Sequence, residues 1–500
     1  IGAIIVATGL YYIPKKYHSV SVGNVLERLH NHQGRMSLGN FFVQFFGGII
    51  CLLSGQSVGR EGPAVHIGAS AASVLGQWLR LPNNSLRTLI GCGVAAAIAA
   101  SFNTPIAGVI FAMEVVLMSY TIVGFIPVMI ASVCGALAAR LVFGEESHFS
   151  FTGFQMGGLW ELIAMALAGL IIGIIATIYM RLQLNFSRLF HYSISIKILL
   201  GGLLTGSIAL FIPEVLGLGY DTVNLALEGK LTLHALCLIL FAKIITTSFS
   251  IGMGMPAGLI GPQLFMGACA GAIIGTVING FFPESSNSGF YVLLGMAAMM
   301  GAVINAPLAA LMAVLELTHN PSIIFPSILI IVTACITTRL LFKCEGIFIE
   351  QLSSNGQSLN ASPSQQLLDT IGVRSVMKTA FVESSSALSC VSATALLSTN
   401  PLWIVVHHTH SEVTLLRAAD LATYMNQNTT EEPTVNLLDI PAERFSLSPI
   451  DELATLYEAQ QMLAKHQADA LYVTSKNQHT QTPLILGVIT HSTIANHYPL

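Results

Sequence analysis

The chain has 500 residues, 53% of them apolar and only 9% charged, with a mean hydropathy of +0.71. A soluble domain carries about 25% charged residues, so much of this chain belongs in lipid. A net charge of −4 offers no basic surface for nucleic acid. The eight cysteines are scattered and mostly lie in apolar text, with no CxxC and no cluster with histidine. They read as small buried side chains, and the sequence predicts neither a disulfide framework nor a metal site.

Polarity is unevenly distributed. Uncharged runs such as Leu162–Met180, Ile198–Ile212 and Gly261–Phe282 dominate the first part, and from Lys343 onward the text turns polar. The expected organisation is a transmembrane domain over 1–350, a linker over 351–373 and an aqueous domain over 374–500. Ile1 lies inside an apolar run without a methionine, so further residues are expected upstream of it.

In chain order, the apolar spans Phe45–Ser54, Thr88–Ala100, Pro105–Met118, Gly258–Gly275, Tyr291–Ile304 and Pro307–Leu317 are short and cut by Gly or Pro. A helix crossing the bilayer needs about 20 residues. Helices broken at membrane depth persist only where backbone lines a cavity or is buried in protein, which is a transporter-like architecture. Two motifs recur. Gly59-Arg-Glu-Gly-Pro63 with Gly68, Ala69, Ala71 and Gly76 matches Gly258-Leu-Ile-Gly-Pro262 with Gly267, Ala268, Ala270 and Gly275. Gly93, Ala95, Ala96, Asn103, Pro105, Ala107 and Glu114 match Gly295, Ala297, Ala298, Asn305, Pro307, Ala309 and Glu316. The membrane part is therefore a duplication, and such halves commonly flank a substrate site built from broken-helix N-termini. Whether the halves run parallel or inverted is open at this level.

The polar part also reads as two similar halves, Arg374–Asn426 and Phe445–Tyr498. Helical stretches are expected at Ser392–Leu397 and Pro449–His466, and β runs at Trp403–Val406, Ala470–Thr474 and Leu484–Ile489. Gln427–Pro441 reads as a polar linker.

The chemistry concentrates at Glu61. Gly62-Pro63 favours a helix start, and a helix N-terminus within the membrane presents unpaired N–H groups and positive partial charge suited to an anion. A carboxylate at that mouth would occupy the anion site and, once protonated, leave it. The plainer reading is a glutamate that caps the helix. An intramembrane carboxylate is a functional candidate by default. His66, one turn on, reads as a packing residue.

Gly59-Arg-Glu-Gly-Pro63 resembles the GREGP signature of the CLC chloride channel and transporter family, with Phe45-Phe-Gly-Gly48 before it. Asn103-Thr-Pro-Ile-Ala-Gly108, Gly258-Leu-Ile-Gly-Pro262 and Asn305-Ala-Pro-Leu-Ala309 resemble further segments of that family, and the resemblance covers about residues 1–350. It implies an all-α polytopic membrane protein of CLC-like inverted repeats of broken helices, a homodimer in the lipid bilayer, each subunit with its own path for chloride or a similar small anion. It implies a gate at Glu61 and an anion path of Ser19, Val20, Ser21, Val22, Gly23, Arg60, Gly62, Gly258, Leu259, Ile260, Gly261 and Phe348. The C-terminal part resembles an α/β CBS pair, expected on the cytosolic side of a cell or inner membrane.

The departures from the family pattern carry as much information. The first anion motif, G-S-G-I-P, aligns to Ser19-Val-Ser-Val-Gly23, so its serine is Val20. The central tyrosine is Phe348, and the Phe of G-x-F-x-P is Ile260. The exchangers' internal proton-transfer glutamate is Val115, directly after a Glu114 read as structural. Two hydroxyl donors are thus missing from the path, each worth about 1.5–3 kcal/mol to an anion, and Val115 cannot carry a proton. The CBS nucleotide pattern, Thr followed three residues later by Asp, is split between Arg417/Asp420 and Thr490/Thr493. No cofactor and no bound nucleotide are expected, chloride being the transported ligand. The reading is passive, channel-like anion conduction, with a chloride/proton antiporter of the same fold as the alternative. An intramembrane hydrolase would need HExxH, or GxSxG with a partner histidine, inside the helices, and HExxH does not occur; no enzyme activity is expected.

Overall fold

The computed structural model describes residues 1–500 apart from 121, 145–157, 159, 190–191, 284, 358–362, 409–412, 428–433, 476–483 and 498–500. The chain divides into two compact units, Ile1–Leu79 with Leu86–Leu359, and Arg80–Ser85 with Asn360–Leu500. Within the stretch read as a linker, the helix Ile347–Ser354 belongs to the first unit and the helix Pro363–Thr370 to the second; residues 358–362 lie outside the described part.

Among the described residues, six helices are long and apolar enough to cross a membrane: Asn83–Phe102, Gly124–Phe143, Glu161–Arg188, Leu233–Gly252, Ile260–Phe281 and Pro321–Leu341. Shorter apolar helices, including Leu38–Leu53, Pro105–Phe111, Ser288–Ile304 and Pro307–Thr318, pack among them. Helices run past the apolar text because polar residues are absorbed by specific bonds. The expected span Phe45–Ser54 begins earlier, at Leu38. Inside it the buried Gln44 accepts from Ser21 N–H at 2.9 Å and donates to Pro256 C=O at 2.8 Å. The helix expected to start at Gly62-Pro63 instead starts at Glu61. Pro63 still lies in the first turn, where its missing N–H leaves no bond unmade.

The repeated motifs become matched structural devices. Asn103 and Asn305 both end a helix in the left-handed conformation, at φ 58° and 61°, which asparagine tolerates better than most residues. Each is followed by a proline that opens the next helix, Pro105 or Pro307. Those two helices are capped reciprocally. Glu114 accepts from the N–H groups of Leu308 and Ala309 at 3.2 and 2.8 Å, and Glu316 accepts from Ile106 and Ala107 at 2.8 and 2.7 Å. Glu114 thus bonds as a structural cap. At the other motif, Gly59 N–H donates to Gly258 C=O at 2.6 Å and Gly258 N–H returns to Gly59 C=O at 2.8 Å, an isolated antiparallel bridge. A Cβ on Gly62 would lie 2.6 Å from Gly258 Cα, so the close approach demands glycine on both sides. These exchanges relate the two repeats by a local two-fold.

In the second unit, strands β1 (Phe381–Ser385), β2 (Ala387–Ser389), β3 (Trp403–His407), β4 (Val413–Arg417), β5 (Thr434–Asn436), β6 (Phe445–Asp451), β7 (Ala470–Ser475) and β8 (Leu484–Thr490) form two sheets. The larger has the order β1-β3-β4-β6-β7-β8 and the smaller pairs β2 with β5. Each half contributes a parallel pair bridged by a helix (β1 with β3, β6 with β7) and then an antiparallel strand, β4 or β8. The bridging helices are Cys390–Ser398 and Leu456–His466. Two expectations change. Pro449 belongs to β6, and the following helix starts at Leu456 under a capping box of Thr455 and Glu458. β4 pairs with β6 at Phe445 and Ser446, so the proline lies beyond that pairing, where a missing N–H costs least. Thr434–Asn436, inside the expected polar linker, pairs with β2; residues 428–433 of that linker lie outside the described part.

Replacing Glu114 or Glu316 by Ala leaves two helix-start N–H groups without their carboxylate, at about 1–3 kcal/mol for each unsatisfied group. Both variants are expected to lower the thermal unfolding midpoint in detergent to a similar degree. A variant that unfolds at the wild-type temperature would show that the cap bears no stability.

Candidate functional site

The site is assembled where the two Gly-x-x-Gly-Pro motifs meet. Glu61 opens the helix Glu61–Trp78, yet its carboxylate does not cap that helix. Oε2 accepts from the backbone N–H of Gly261 at 3.0 Å, in the first turn of the opposite repeat's helix, Ile260–Phe281. Oε1 accepts from Tyr220 Oη at 2.7 Å. The side chain is completely buried, at 0% exposure. A Cβ on Gly261 would lie 3.0 Å from Oε2, so glycine admits the carboxylate to this helix start. Arg60 lies nearby, its Nε 3.9 Å from Oε1, with its Nη2 donating to Ser101 C=O at 2.8 Å. The guanidinium carbon also lies 5.7 Å from the Tyr220 ring centre.

A cavity of about 420 Å³ borders the residues next to this point. Ser19, Val20, Ser21, Val22 and Gly23 line it, as do Gly62, Gly258, Leu259, Ile260 and Phe348. The structure thus gathers ten of the predicted path residues around one vestibule. Gly261 acts through its N–H on Glu61, and Arg60 sits against Ser101 and Tyr220. Val115 is buried in the apolar core and is absent from the lining. The vestibule's first helix, Val22–Asn31, is preceded by Ser21 at φ 97°. That backbone region favours glycine, and Gln44 pins it through the Ser21 N–H. Tyr220 lines a second cavity of about 480 Å³ together with Leu218, Gly219 and Asp221. The Glu61 carboxylate is thus bonded to a residue of this second cavity, while Gly62 and Ile260, the neighbours of Glu61 and Gly261, line the first.

Several participants carry no local signal in the sequence. Tyr220 begins a short helix after Gly219 in the left-handed conformation, and nothing near it in the chain points to Glu61. Lys243 is wholly buried in the helix Leu233–Gly252 and donates to Val215 C=O at 3.0 Å and Gly217 C=O at 2.9 Å. It fixes the loop that delivers Tyr220, and its Nζ lies 4.6 Å from the Phe265 ring centre. A charged residue in an apolar run is the one hint sequence offers there. His66 is buried and its Nε2 meets Asn24 Oδ1 at 3.1 Å, consistent with a packing role.

Residues 1–339 match the family described as voltage gated chloride channel, and the chain belongs to that family. It is an integral membrane protein. Two relatives are close in sequence. A ClcB-like protein of Ralstonia nicotianae, provisionally named a chloride channel protein, is 29% identical over 340 residues, covering 66% of this chain and 78% of that protein. The H(+)/Cl(−) exchange transporter ClcA of Cronobacter sakazakii is 30% identical over 310 residues, 60% of this chain and 66% of that protein. Among solved structures, a slow cyanobacterial Cl−/H+ antiporter superposes with a TM-score of 0.64 at 22% identity, over 71% of this chain and 85% of its own. The likeness establishes the mostly helical CLC fold.

Tyr220→Phe removes one hydrogen bond to the Glu61 carboxylate, of a kind worth about 1.5–3 kcal/mol. Chloride flux at neutral pH in reconstituted vesicles is expected to rise about ten-fold, since the carboxylate then leaves the Gly261 N–H more readily. Unaltered flux would remove Tyr220 from the site.

Proposed function

We propose that this protein exchanges chloride, or a similar small anion, for protons across the membrane, with Glu61 as the exchanging gate. This is the antiporter alternative of the sequence reading in place of passive conduction. The observation that carries it is the seat of the Glu61 carboxylate on the Gly261 N–H, with its partner Tyr220 lining one cavity and the neighbouring Gly62 and Ile260 lining another. A charged carboxylate there takes the acceptor position that an anion would need. Protonation neutralises it and frees the N–H for an anion from the vestibule. One site then binds the deprotonated side chain or the anion in turn, which is the elementary requirement for coupling the two. The named activity of the exchange transporter relative supports this reading. Val20 and Phe348 weaken the hold on a central ion but leave the backbone donors in place. The Val115 position bears only on which residue brings the proton.

The protein is further proposed to work as a homodimer in the bilayer, with its C-terminal unit on the cytosolic side as a CBS pair. The support is the duplicated β-helix-β-β order and the antiparallel β4–β6 junction. Nucleotide sensing is not part of the proposal. Arg417 donates to Glu443 at 3.1 Å, and Thr490 accepts from the Thr493 N–H at 3.4 Å as the cap of its own helix. Both positions of the nucleotide pattern are engaged within the unit.

In proteoliposomes an imposed chloride gradient is expected to drive protons uphill, and the reversal potential to shift with a pH gradient. A reversal potential that follows chloride alone would establish the passive channel instead. Protonation releases the gate, so flux should rise as pH falls, and Glu61→Gln should flatten that dependence and abolish proton movement. ATP or AMP added to the full-length protein is expected to show no saturable binding by calorimetry. A micromolar affinity would make the tail a sensor.

A further inference from the structure

An exchanging gate at Glu61 needs protons from the vestibule as well as from the cavity that Tyr220 lines. Val115 cannot carry one, and it is buried away from the vestibule. The described lining of the vestibule contains one carboxylate, Glu27; its other ionisable residues are Arg28 and His18. Glu27 lies on the helix Val22–Asn31, four residues after Gly23. That spacing puts both on the same helix face, with Glu27 one turn, about 6 Å, further along the axis. Gly23 lines the cavity together with Gly62, Gly258 and Ile260, the residues that bracket Glu61 and Gly261.

The surroundings of Glu27 suit proton uptake. Its side chain is 12% exposed, and His32 Nδ1 lies 3.2 Å from Oε1, with His32 itself 48% exposed. An imidazole nitrogen can exchange its proton with solvent, so the pair joins a solvent-facing group to a mostly buried one. Arg28 Nε lies 3.4 Å away. Asn24 and Gln357 donate amide hydrogens to the carboxylate, each at 3.4 Å. From the Glu61 helix, the titratable group facing this cluster is His66, reached through Asn24 Oδ1 at 3.1 Å. From the helix Ile347–Ser354, Glu350 is turned instead to Glu345 N–H at 3.3 Å. Glu27 thus has a cation, an exchangeable imidazole and neutral amides around it, beside a cavity wide enough for water.

We propose that Glu27 is the proton-loading carboxylate of the vestibule, with His32 as its exchange partner at the mouth; the inference rests on the exchanger reading. In the uptake step the His32 imidazolium, protonated from bulk water, gives up its Nδ1 proton, an O–H bond forms on Glu27, and a neutral imidazole is left. In the delivery step Glu27 gives that proton to water in the cavity, which passes one to Glu61. Glu61 then leaves the Gly261 N–H as a neutral acid, and the N–H takes the anion. No other reactant is needed, and charge balances at each transfer.

The test measures chloride and proton fluxes together in vesicles containing the full chain, under a chloride gradient. Glu27→Gln is expected to lower the proton-to-chloride ratio about a hundred-fold, the lower end of what a positioned proton-transfer group contributes. Glu27→Asp, which keeps a carboxyl group, should retain most of the ratio. Glu27→Gln with the wild-type ratio overturns the role of Glu27 while leaving the exchanger reading intact. Wild-type protein that moves no protons uphill defeats the exchanger reading, and this inference with it. If Glu27→Gln also loses anion flux, Glu27→His decides: restored coupling supports proton loading, and anion flux without protons overturns it.

Discussion

A helix that begins inside a membrane leaves backbone N–H groups with no water to bond, and each must find an acceptor within the protein. This chain breaks its helices repeatedly and answers that constraint with carboxylates. Glu114 and Glu316 each take two N–H groups at the start of the helix belonging to the opposite repeat. Glu61 takes one, at Gly261. The first two are permanent parts of the frame because both of their oxygens are engaged by backbone. Glu61 gives one oxygen to backbone and the other to a tyrosine hydroxyl, at a helix start bordered by a cavity. The same chemistry therefore serves as a rivet in two places and, in the proposed function, as a movable stopper in a third. What separates the roles is access to a competing acceptor.

The frame around the stopper is held at close quarters. Gly59 and Gly258 exchange backbone bonds, while Lys243 grips two carbonyls of the loop leading to Tyr220. A buried ammonium is expensive unless fully bonded, and here the carbonyl dipoles and the Phe265 face provide that environment. The proposed motion is thus confined to a side chain within a tightly braced pocket.

Much of the frame could be read in the sequence because its signals are local. Asn-x-Pro dictates a helix end followed by a helix start, and the recurrence of Gly-x-x-Gly-Pro announces a duplicated junction. Glu61 stood out as a carboxylate beside such a junction. Its acceptor role was legible, but the helix it serves was not. The residue next along the chain is a poor guide when the partner N–H, at Gly261, lies 200 positions away. Tyr220 and Lys243 were hidden for the same reason, since their partners are set by tertiary packing alone. Pro449 misled by its place before a helical pattern. Its strand is tolerated because the neighbouring β4 pairing has already ended.

The bridge between Gly59 and Gly258 has a thermal consequence. Two repeats bonded to each other through their backbones are held against parting at this point, so the proposed opening is left to rotation about the side-chain bonds of one glutamate. Such a rotation uncovers almost no apolar area, and heat capacity change scales with the apolar area uncovered. Opening should then follow a nearly straight Arrhenius line, without the curvature that accompanies the separation of packed domains.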